Sequence, residues 1–347
     1  MIILACDLGK FKSVACIYDT QTHKQMFETI KTSHQEMHDL IVKHEPDRVV
    51  IEICSIAGWV YDLVENLGVP IQVANANGEA WVWKKVKRKT DRDDALKLAK
   101  LSMMEQLSLV HIPKPKVRQK RALINYRQSI VERITSIKNS IRAILDRQGI
   151  EMAPGKKGWS KKSISDLRDL ARPMNKVSLT DIWRGMLWTE LSQLELGIDA
   201  LAEVECKLDK LNEKDKYVCL LKSTPGVGSR LAEAVTAYID EPERFETGKQ
   251  VGCYIGLTPK QYQSGTMDRQ GRISGHGNKL LRSLLVEVCW IGMRWNPWMR
   301  ETYERIRRGS PSRKKIAITA LARKLLVRLW AMLRDGTVWQ APALQSF

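Results

Sequence analysis

The chain has 347 residues, 44% apolar and 28% charged, which is typical of about two globular domains and excludes a disordered polymer. Lys and Arg outnumber Asp and Glu by 57 to 39, so the net charge of +18 favours a polyanionic partner, most simply nucleic acid. There is no run of about 18 apolar residues and the cysteines lack CxxC spacing, which excludes membrane, disulfide-framework and zinc-finger proteins. The start, MIILACDLGK, has no basic segment typical of a signal peptide, so we expect a cytoplasmic protein with reduced thiols.

Residues 1–111 alternate strand-like and helix-like segments. Buried-type or alternating runs predict strands over 1–7, 12–18, 25–31, 48–53 and 69–74. Helices are predicted to begin at Ser33, near Trp59 and at Asp91. This β-β-β-α-β-α-β-α order resembles the ribonuclease H-like fold, while the pattern alone establishes an α/β domain with a mixed sheet.

Residues 112–215 are predicted to be mostly helical. Apolar residues recur at helical spacing from Val117 to Gln148 and from Trp188 to Leu211, and the Gly-, Pro- and Lys-containing segment 153–165 separates the two helices. The pair can form an antiparallel coiled coil, a seam between two copies of the chain, or a plain hairpin within one chain. Periodicity leaves these alternatives open.

Residues 216–347 form a third region, also mostly helical, with helices predicted over 279–295 and 316–333. The segment KSTPGVGSRLAEA is typical of a helix-hairpin-helix, in which Gly226 and Gly228 would bring backbone N–H groups close to a phosphate. An ordinary glycine-containing loop is the alternative interpretation.

Four acidic residues occur where metal chemistry would require them. Asp7 and Glu52 end predicted strands, and Asp91 and Asp94, spaced i, i+3, share one side of a helix start. Oxygen ligands suit Mg²⁺ or Mn²⁺, and a pair of such ions can act on a phosphodiester. Each acid taken alone has a simpler explanation as a turn, helix-capping or solvated residue, but the set predicts a metal site.

A run of cations stands immediately before the second acid pair. We expect these side chains to bind a phosphate backbone, a solvated basic face being the alternative. The five residues are Lys84, Lys85, Lys87, Arg88 and Lys89. The neighbouring Trp81 and Trp83 would stack on bases or belong to the core.

These residues resemble a known family. The string KVKRKTDRDDALKLAKL, with Asp7 and Glu52 upstream, resembles the DEDD transposases of insertion sequences that lack terminal inverted repeats, relatives of the Piv-type DNA invertases. The C-terminal half adds STPGVG, Arg244-Phe245, GLTP at 256–259, QSG at 263–265 and GRISGHGNKLLR at 271–282. The resemblance extends from residue 1 to about residue 335.

The resemblance implies three parts: a RuvC-like catalytic domain over 1–111, a helical coiled-coil region over 112–215 and a transposase domain over 216–347. It implies that Mg²⁺ or Mn²⁺ is held by four catalytic acids, Asp7, Glu52, Asp91 and Asp94. Two additional acids, Asp62 and Asp93, stand close to this set in the sequence, and Asp93 competes with Asp94 for the fourth position. The family also assembles as dimers that pair into tetramers.

The resemblance further implies a nucleophilic serine and a structured non-coding guide, the bridge RNA, that pairs with donor and target DNA. The serine is assigned to Ser264 in QSG, with Ser274 as the rival. Four cations bracket it and are predicted to contact the nucleic-acid backbone, with a solvated face as the alternative. They are Arg269, Arg272, Lys279 and Arg282.

Three functions follow from these residues. The first is an RNA-guided transposase or recombinase that cuts and rejoins DNA through a phosphoserine intermediate. The second is a junction-resolving endonuclease that uses the same acids with water as the nucleophile. The third is a nucleic-acid-binding scaffold with an inactive site.

Overall fold

The computed structural model describes residues 1–75, 78, 90–264 and 267–341, and the chain divides into two compact units, Met1–Arg118 and Gln119–Phe347. The three-part division expected from the sequence stays a prediction. In its described residues, the first unit contains five strands and three helices that precede the start of a longer helix. They are β1 (Ile2–Asp7), β2 (Lys12–Asp19), β3 (Gln25–Lys31), α1 (His34–His44), β4 (Arg48–Glu52), α2 (Ala57–Asn66), β5 (Ile71–Ala74) and α3 (Asp91–Met103).

The five strands form one mixed sheet in the order β3-β2-β1-β4-β5. The first three strands are antiparallel neighbours, whereas β1, β4 and β5 run parallel. An antiparallel meander joined to parallel strands by helices is the topology of the ribonuclease H-like fold. The predicted α/β class with a mixed sheet is therefore confirmed.

The two faces of this sheet are buried by different helices. On β1, Leu4 and Cys6 pack in the core that α1 and α2 complete. The alternate residues Ile3 and Ala5 pack with Leu98 of α3. Successive side chains of a strand point to opposite faces, so the sequence of β1 assigns each residue to one layer.

Contacts at the end of α3 fix its direction across the sheet. The Arg48 guanidinium, at the start of β4, donates to the Ser102 carbonyl at 3.4 Å, and the Ser102 hydroxyl donates to Gln72 near the start of β5 at 2.7 Å. The last turn of α3 therefore lies at the beginnings of β4 and β5. Its first turn consequently lies toward the carboxyl ends of the parallel strands.

The second unit is mostly helical. A long helix, α4 (Pro115–Asp146), leads into it, and the part of the chain described after it adds eight helices and a two-stranded ribbon. They are α5 (Lys161–Leu170), α6 (Ile182–Glu213), α7 (Lys216–Lys222), α8 (Ser229–Ile239), α9 (Gly248–Ile255), β6 (Pro259–Ser264), β7 (Met267–Ile273), α10 (Lys279–Gly292), α11 (Pro297–Arg307) and α12 (Lys314–Asp335).

The two long helices pack antiparallel within the chain. Ion pairs join Arg127 to Glu205 and Lys120 to Asp215, and the side chain of Ile134 lies against Gly197. From Lys120 to Ile134 the residue numbers rise along α4, while those of their partners fall from Asp215, just beyond α6, to Gly197 within α6, as antiparallel packing requires. The structure therefore shows the two helices packed as a pair within one chain, while coiled-coil geometry and a seam between two copies stay predictions.

A helical core fills the rest of the second unit. Its centre is α12, whose Leu321, Leu325 and Leu329 are fully buried against residues of α8, α9, α10 and α11. The base of the α4–α6 pair joins this core through Ile124 and Leu208. Across the described residues, no helix is both long enough and apolar enough to cross a lipid bilayer.

Candidate active site

Asp7 and Glu52 lie at the ends of neighbouring parallel strands. The β1–β4 register pairs Cys6 with Ile51, so the two acids are the next residues of the two strands. By strand alternation Asp7 shares the face of Ile3 and Ala5, and Glu52 shares the face of Val50, all three of which pack in the α3 layer. Both half-buried acids therefore point toward the side of the sheet that α3 covers.

Asp91 and Asp94 lie in the first turn of α3. Asp94 is only 7% exposed and stands beside the fully buried Ala95 on the sheet-facing side, whereas Asp91 is exposed at the helix start. Because the first turn of α3 lies toward the strand ends, the helix brings its two acids to the same edge of the sheet as Asp7 and Glu52. The positive end of the helix dipole also favours carboxylates at this position.

The two additional acids have other partners. The Asp93 backbone N–H donates to the Thr90 hydroxyl at 3.3 Å, and that hydroxyl donates to the Asp93 carboxylate at 2.6 Å, which caps α3. Asp62 accepts from the Arg118 guanidinium. Thr90 thus caps the helix, the exposed Asp93 accepts from the Thr90 hydroxyl, and Asp94 is the acid directed at the sheet. The sequence analysis did not anticipate the capping role of Thr90.

The donor set fits a hard divalent cation. All four side chains offer carboxylate oxygens, which are the ligands Mg²⁺ and Mn²⁺ prefer. The neighbouring Cys6 faces the opposite layer, and burial, reinforced by the charges of Cys16 and Asp7, raises the pKa of its thiol to about 12. Cys6 is therefore a neutral core side chain beside the acids rather than a thiolate ligand.

The basic flank predicted to bind phosphate lies outside the described residues, and so do the two tryptophans. These are Lys84, Lys85, Lys87, Arg88, Lys89, Trp81 and Trp83. Their assignment to nucleic-acid binding stays a prediction.

Ser264 ends the first strand of an exposed antiparallel ribbon in the second unit. The register pairs Ser264 with Met267 and Tyr262 with Arg269. Directly paired residues share a face of a ribbon, as do alternate residues of one strand, so Ser264, Tyr262 and Arg269 lie on the same side. The serine hydroxyl and a cationic side chain are presented together on a surface open to a large ligand.

Ser274 lies instead at the root of this ribbon, where hydrogen bonds and close backbone packing fix the chain. Its backbone N–H donates to the Thr258 carbonyl at 2.8 Å. A Cβ at Gly256 would stand 1.7 Å from the His276 carbonyl oxygen, and one at Gly277 would stand 2.1 Å from that of Tyr254, so only glycine fits at either position. These glycines of the GLTP and SGHGN segments join the two ends of the ribbon to the helical core.

The other predicted cations near the serine differ in what they contact. The Arg282 guanidinium donates to the carbonyls of Ile255 at 2.8 Å and His276 at 3.0 Å, which fixes the root of the ribbon. Lys279 is exposed at the first position of α10, and Arg272 is exposed on β7. Arg282 therefore has a structural role, while Arg269, Arg272 and Lys279 are open to solvent.

The predicted Pro-Gly-x-Gly turn connects α7 and α8. Gly226 has φ +90° and its backbone packs against α10, where an added Cβ would lie 2.7 Å from the Cα of Gly292. Gly228 is exposed at the N-cap of α8, with open space around its Cα. Close packing thus accounts for Gly226, and phosphate binding by either glycine stays a prediction.

Comparisons with known proteins identify the chain from both halves. Residues 4–149 match the family model of the DEDD transposase of IS110, and residues 218–304 match that of the transposase IS116/IS110/IS902 family. The transposase for insertion sequence element IS1111A of Coxiella burnetii is 27% identical over 303 residues, covering 85% of this chain and 80% of the relative.

Two further similarities each cover about a third of the chain. The pilin gene-inverting protein of Moraxella lacunata is 30% identical over 119 residues, covering 34% of this chain and 37% of that protein. The solved RuvC structure of Thermus thermophilus aligns at 16% identity and a TM-score of 0.24, covering 32% of this chain and all of that one.

The matches define the class of the protein as a DNA transposase, an enzyme that cuts and rejoins DNA. Within that class, the chain belongs to the DEDD transposases of the IS110 family.

Proposed function

We propose that this transposase exchanges DNA strands through a covalent phosphoserine intermediate formed at Ser264, with the carboxylates of Asp7, Glu52, Asp91 and Asp94 holding Mg²⁺ or Mn²⁺. A structured non-coding bridge RNA would select donor and target DNA. The reaction would take place in the cytoplasm, in dimers that pair into tetramers.

The observation that carries the proposal is the meeting of separate acids at one edge of the sheet. Asp7 and Glu52 end adjacent parallel strands on the α3 side, and α3 starts at that edge with Asp91 and the nearly buried Asp94. The strand ends and the first turn of α3 thus carry four carboxylate side chains at the same edge of the sheet, and carboxylate oxygens are the ligands that hard divalent cations take. Such a set is suited to binding divalent ions.

When bound, the metal supplies Lewis acidity that neutralises charge developing on a phosphodiester. The protein's own contribution is positional. Strand ends and a capped helix hold the oxygen ligands on rigid elements, so little reorganisation is needed on binding.

The covalent step exchanges one phosphodiester for another. The Ser264 hydroxyl loses its proton to a base, and its Oγ forms a bond to the scissile phosphorus while the bond from phosphorus to the leaving sugar oxygen breaks. That oxygen takes up a proton, so the number of phosphoester bonds is unchanged. A second sugar hydroxyl then attacks the phosphoserine and releases Ser264, so rejoining needs no external energy source.

The charge of the molecule supports nucleic-acid partners. A net charge of +18, with exposed Arg269, Arg272 and Lys279 around the serine ribbon, favours binding to phosphate backbones. The guide RNA is testable through the purified protein. RNA that co-purifies and whose removal by ribonuclease abolishes site-specific cutting supports guidance, whereas site-specific cutting by RNA-free protein contradicts it.

The nucleophile is tested by trapping the adduct. Denaturing gels of labelled DNA after reaction in Mg²⁺ should show a protein–DNA adduct for the parent and for Ser274→Ala, but none for Ser264→Ala. Ser274→Ala is a matched control because it also removes one serine hydroxyl, at the root of the same ribbon.

Other outcomes of this experiment lead to the remaining functions. Adducts that persist in Ser264→Ala contradict the assignment of the nucleophile. Free hydroxyl and phosphate ends without any adduct identify a junction-resolving endonuclease that uses water. Binding without cleavage by the parent protein identifies a scaffold.

A further inference from the structure

A cluster of cations lies at the far end of the α4–α6 pair. Two of its members come from the last turns of α4, and four come from the connection and first residues of α5. We call this cluster the tip patch: Lys138, Arg142, Lys156, Lys157, Lys161 and Lys162.

Trp159 organises the tip patch. The Nζ of Lys138 and the Cζ of Arg142 both stand 5.1 Å from the centroid of the half-buried indole. Lys138 and Arg142 are neighbours on one face of α4, where like charges at i, i+4 repel. Burial, followed by the charge of Arg142, lowers the pKa of Lys138, so the two cations are crowded together.

The backbone that carries the four other lysines is fixed. Gly158 is buried in a short 3₁₀ turn, Lys157–Trp159, where an added Cβ would lie 2.3 Å from the Ala153 carbonyl oxygen. Ser160 caps α5 by accepting from the Ser163 N–H at 3.2 Å. The Ser163 hydroxyl donates to the Lys157 carbonyl at 3.0 Å. The exposed lysines are therefore displayed on an ordered loop.

The charge of the tip patch is uncompensated. The sequence contains no Asp or Glu from residue 152 to residue 165. None of the six cations forms an ion pair with any residue that the structure describes. Unpaired positive charges that lie close together repel one another, and a bound polyanion would relieve this repulsion.

The position of the patch relative to the serine ribbon favours DNA as that polyanion. Asn278 and Lys279, which follow the ribbon, line a groove with Gln128 and Glu132 of α4. From Gln128 to Arg142 the helix rises about 21 Å, the length of about six base pairs of a double helix. A duplex held at the ribbon has only a short distance to extend before it meets the patch.

We propose that the tip patch is a second DNA-binding surface, which grips the phosphate backbone of the duplex flanking the site of strand exchange. It offers lysines and an arginine covering the face of an indole, so it recognises backbone charge and reads no bases. This inference rests on the proposed function in that the serine ribbon must handle DNA. It requires neither Ser264 as the nucleophile nor a guide RNA.

The experiment measures equilibrium binding of the full-length protein to a long DNA duplex in EDTA, over a series of salt concentrations. EDTA prevents strand cleavage, so the result does not depend on whether the phosphoserine proposal holds. The tip variant is K156Q/K157Q/K161Q/K162Q. We expect the slope of log K against log[salt] to become shallower by up to about 3.6, since each of the four lost phosphate contacts removes about 0.9.

A matched control variant is K207Q/K210Q/K214Q/K216Q, which removes the same charge from exposed lysines near the other end of α6. Those lysines alternate with acids, including Asp209, Glu213 and Asp215, so their loss should change the slope by less than about one. The variant K156R/K157R/K161R/K162R should bind DNA as the parent does, because it retains the charge.

Three results would overturn the proposal. One is a tip variant with the parent's slope on DNA. The second is a loss no greater than that of the control variant. The third is a loss confined to an RNA duplex of the same sequence, which would assign the patch to RNA.

Discussion

The four acids at the edge of the sheet (the acid cluster) and the β6–β7 ribbon that carries Ser264 (the serine ribbon) hold their candidate catalytic groups in different ways. Asp7 and Glu52 continue strands whose preceding residues are fully buried, and Asp94 itself is nearly buried. Ser264 ends a strand in which five of the six residues are exposed. The acids are therefore fixed by the same packing that stabilises the sheet, whereas the ribbon depends on its root for its position.

This contrast separates two requirements of strand exchange. Metal ligands need constant mutual distances, which buried strands and a capped helix provide. A nucleophile that must release one DNA end and accept another is better placed on an accessible element. The predictions below test whether the two regions respond to substitution as this difference requires.

The largest effect is expected from removing one acid. Glu52→Gln keeps the size of the side chain but removes a charged ligand, so DNA cleavage in Mg²⁺ should fall by about ten-thousandfold or more, or about 5 kcal/mol. Rates of cleavage of labelled DNA would measure the loss. The control is Asp93→Asn, at the exposed acid that accepts from the Thr90 cap of α3, which should retain cleavage within about tenfold.

The second largest effect is expected from substituting a glycine where the serine ribbon joins the helical core. Gly256→Ala forces a Cβ against the His276 carbonyl oxygen at φ +75°, so we expect the free energy of unfolding of the second unit to fall by about 4 kcal/mol. Gly275→Ala provides the control, because Gly275 has a similar φ of +71° but open space around it. Its cost should be about 1 kcal/mol, measured by urea unfolding. Equal costs would show that the close approach is unimportant.

The acid cluster should respond to the packing of α3. Leu98 is fully buried between α3 and the sheet, so Leu98→Ala should lower the free energy of unfolding by about 3 kcal/mol. It should also weaken Mg²⁺ binding measured by calorimetry, because the first turn of α3 carries two of the acids. Lys100→Ala, at an exposed position on the same helix, should change stability by less than about 0.5 kcal/mol.

The smallest effect concerns three buried thiols, of Cys6 and Cys16 in the first unit and Cys289 in the second. Burial raises the pKa of Cys6 and Cys289 to about 12 and that of Cys16 to about 11, from an ordinary 9.0. Because these pKa values are raised in the folded state, the stabilising contribution of the protonated thiols is fully present below pH 9. Their contribution is lost as the pH rises from 9 through 11 and 12.

Urea unfolding at pH values between 8 and 11 checks the pH dependence, and thiol labelling followed by mass spectrometry checks the burial on which it depends. The exposed Cys206, Cys219 and Cys253 should react in the native protein at pH 8, and the three buried thiols should react only after unfolding. Native labelling of Cys6 would contradict the closed core beside Asp7.

The sequence was most informative where burial and periodicity coincide. Strands β1 and β3 lie where alternating or apolar runs predicted them, and Asp7 and Glu52 were proposed as ligands because each ends an apolar run, in β1 and β4. The choice between Asp93 and Asp94 required the structure, since only the Thr90 cap shows which carboxylate is directed outward.

The sequence was least informative where elements bury little. The start of helix α5 lies in the segment predicted to be a connection. Leu167 is the one buried residue of its ten, so the helix shows little apolar periodicity. Strands β6 and β7 are polar and exposed on both faces, so they show no alternation to predict them. Helix α6 begins at Ile182, earlier than predicted, because its first turn exposes Ile182 and contains Arg184 and Gly185, so it adds no clear apolar face to the pattern.

The division of β1 between two layers has a consequence for how this enzyme can vary. Inserting or deleting one residue within Ile2–Asp7 would exchange the two sets of side chains, turning Asp7 into the hydrocarbon beneath α1 and α2 and withdrawing it from its partners. Loops around the sheet can lengthen freely, but the spacing inside this strand is constrained twice, by folding and by chemistry. Related chains should therefore tolerate substitutions in β1 far better than changes in its length.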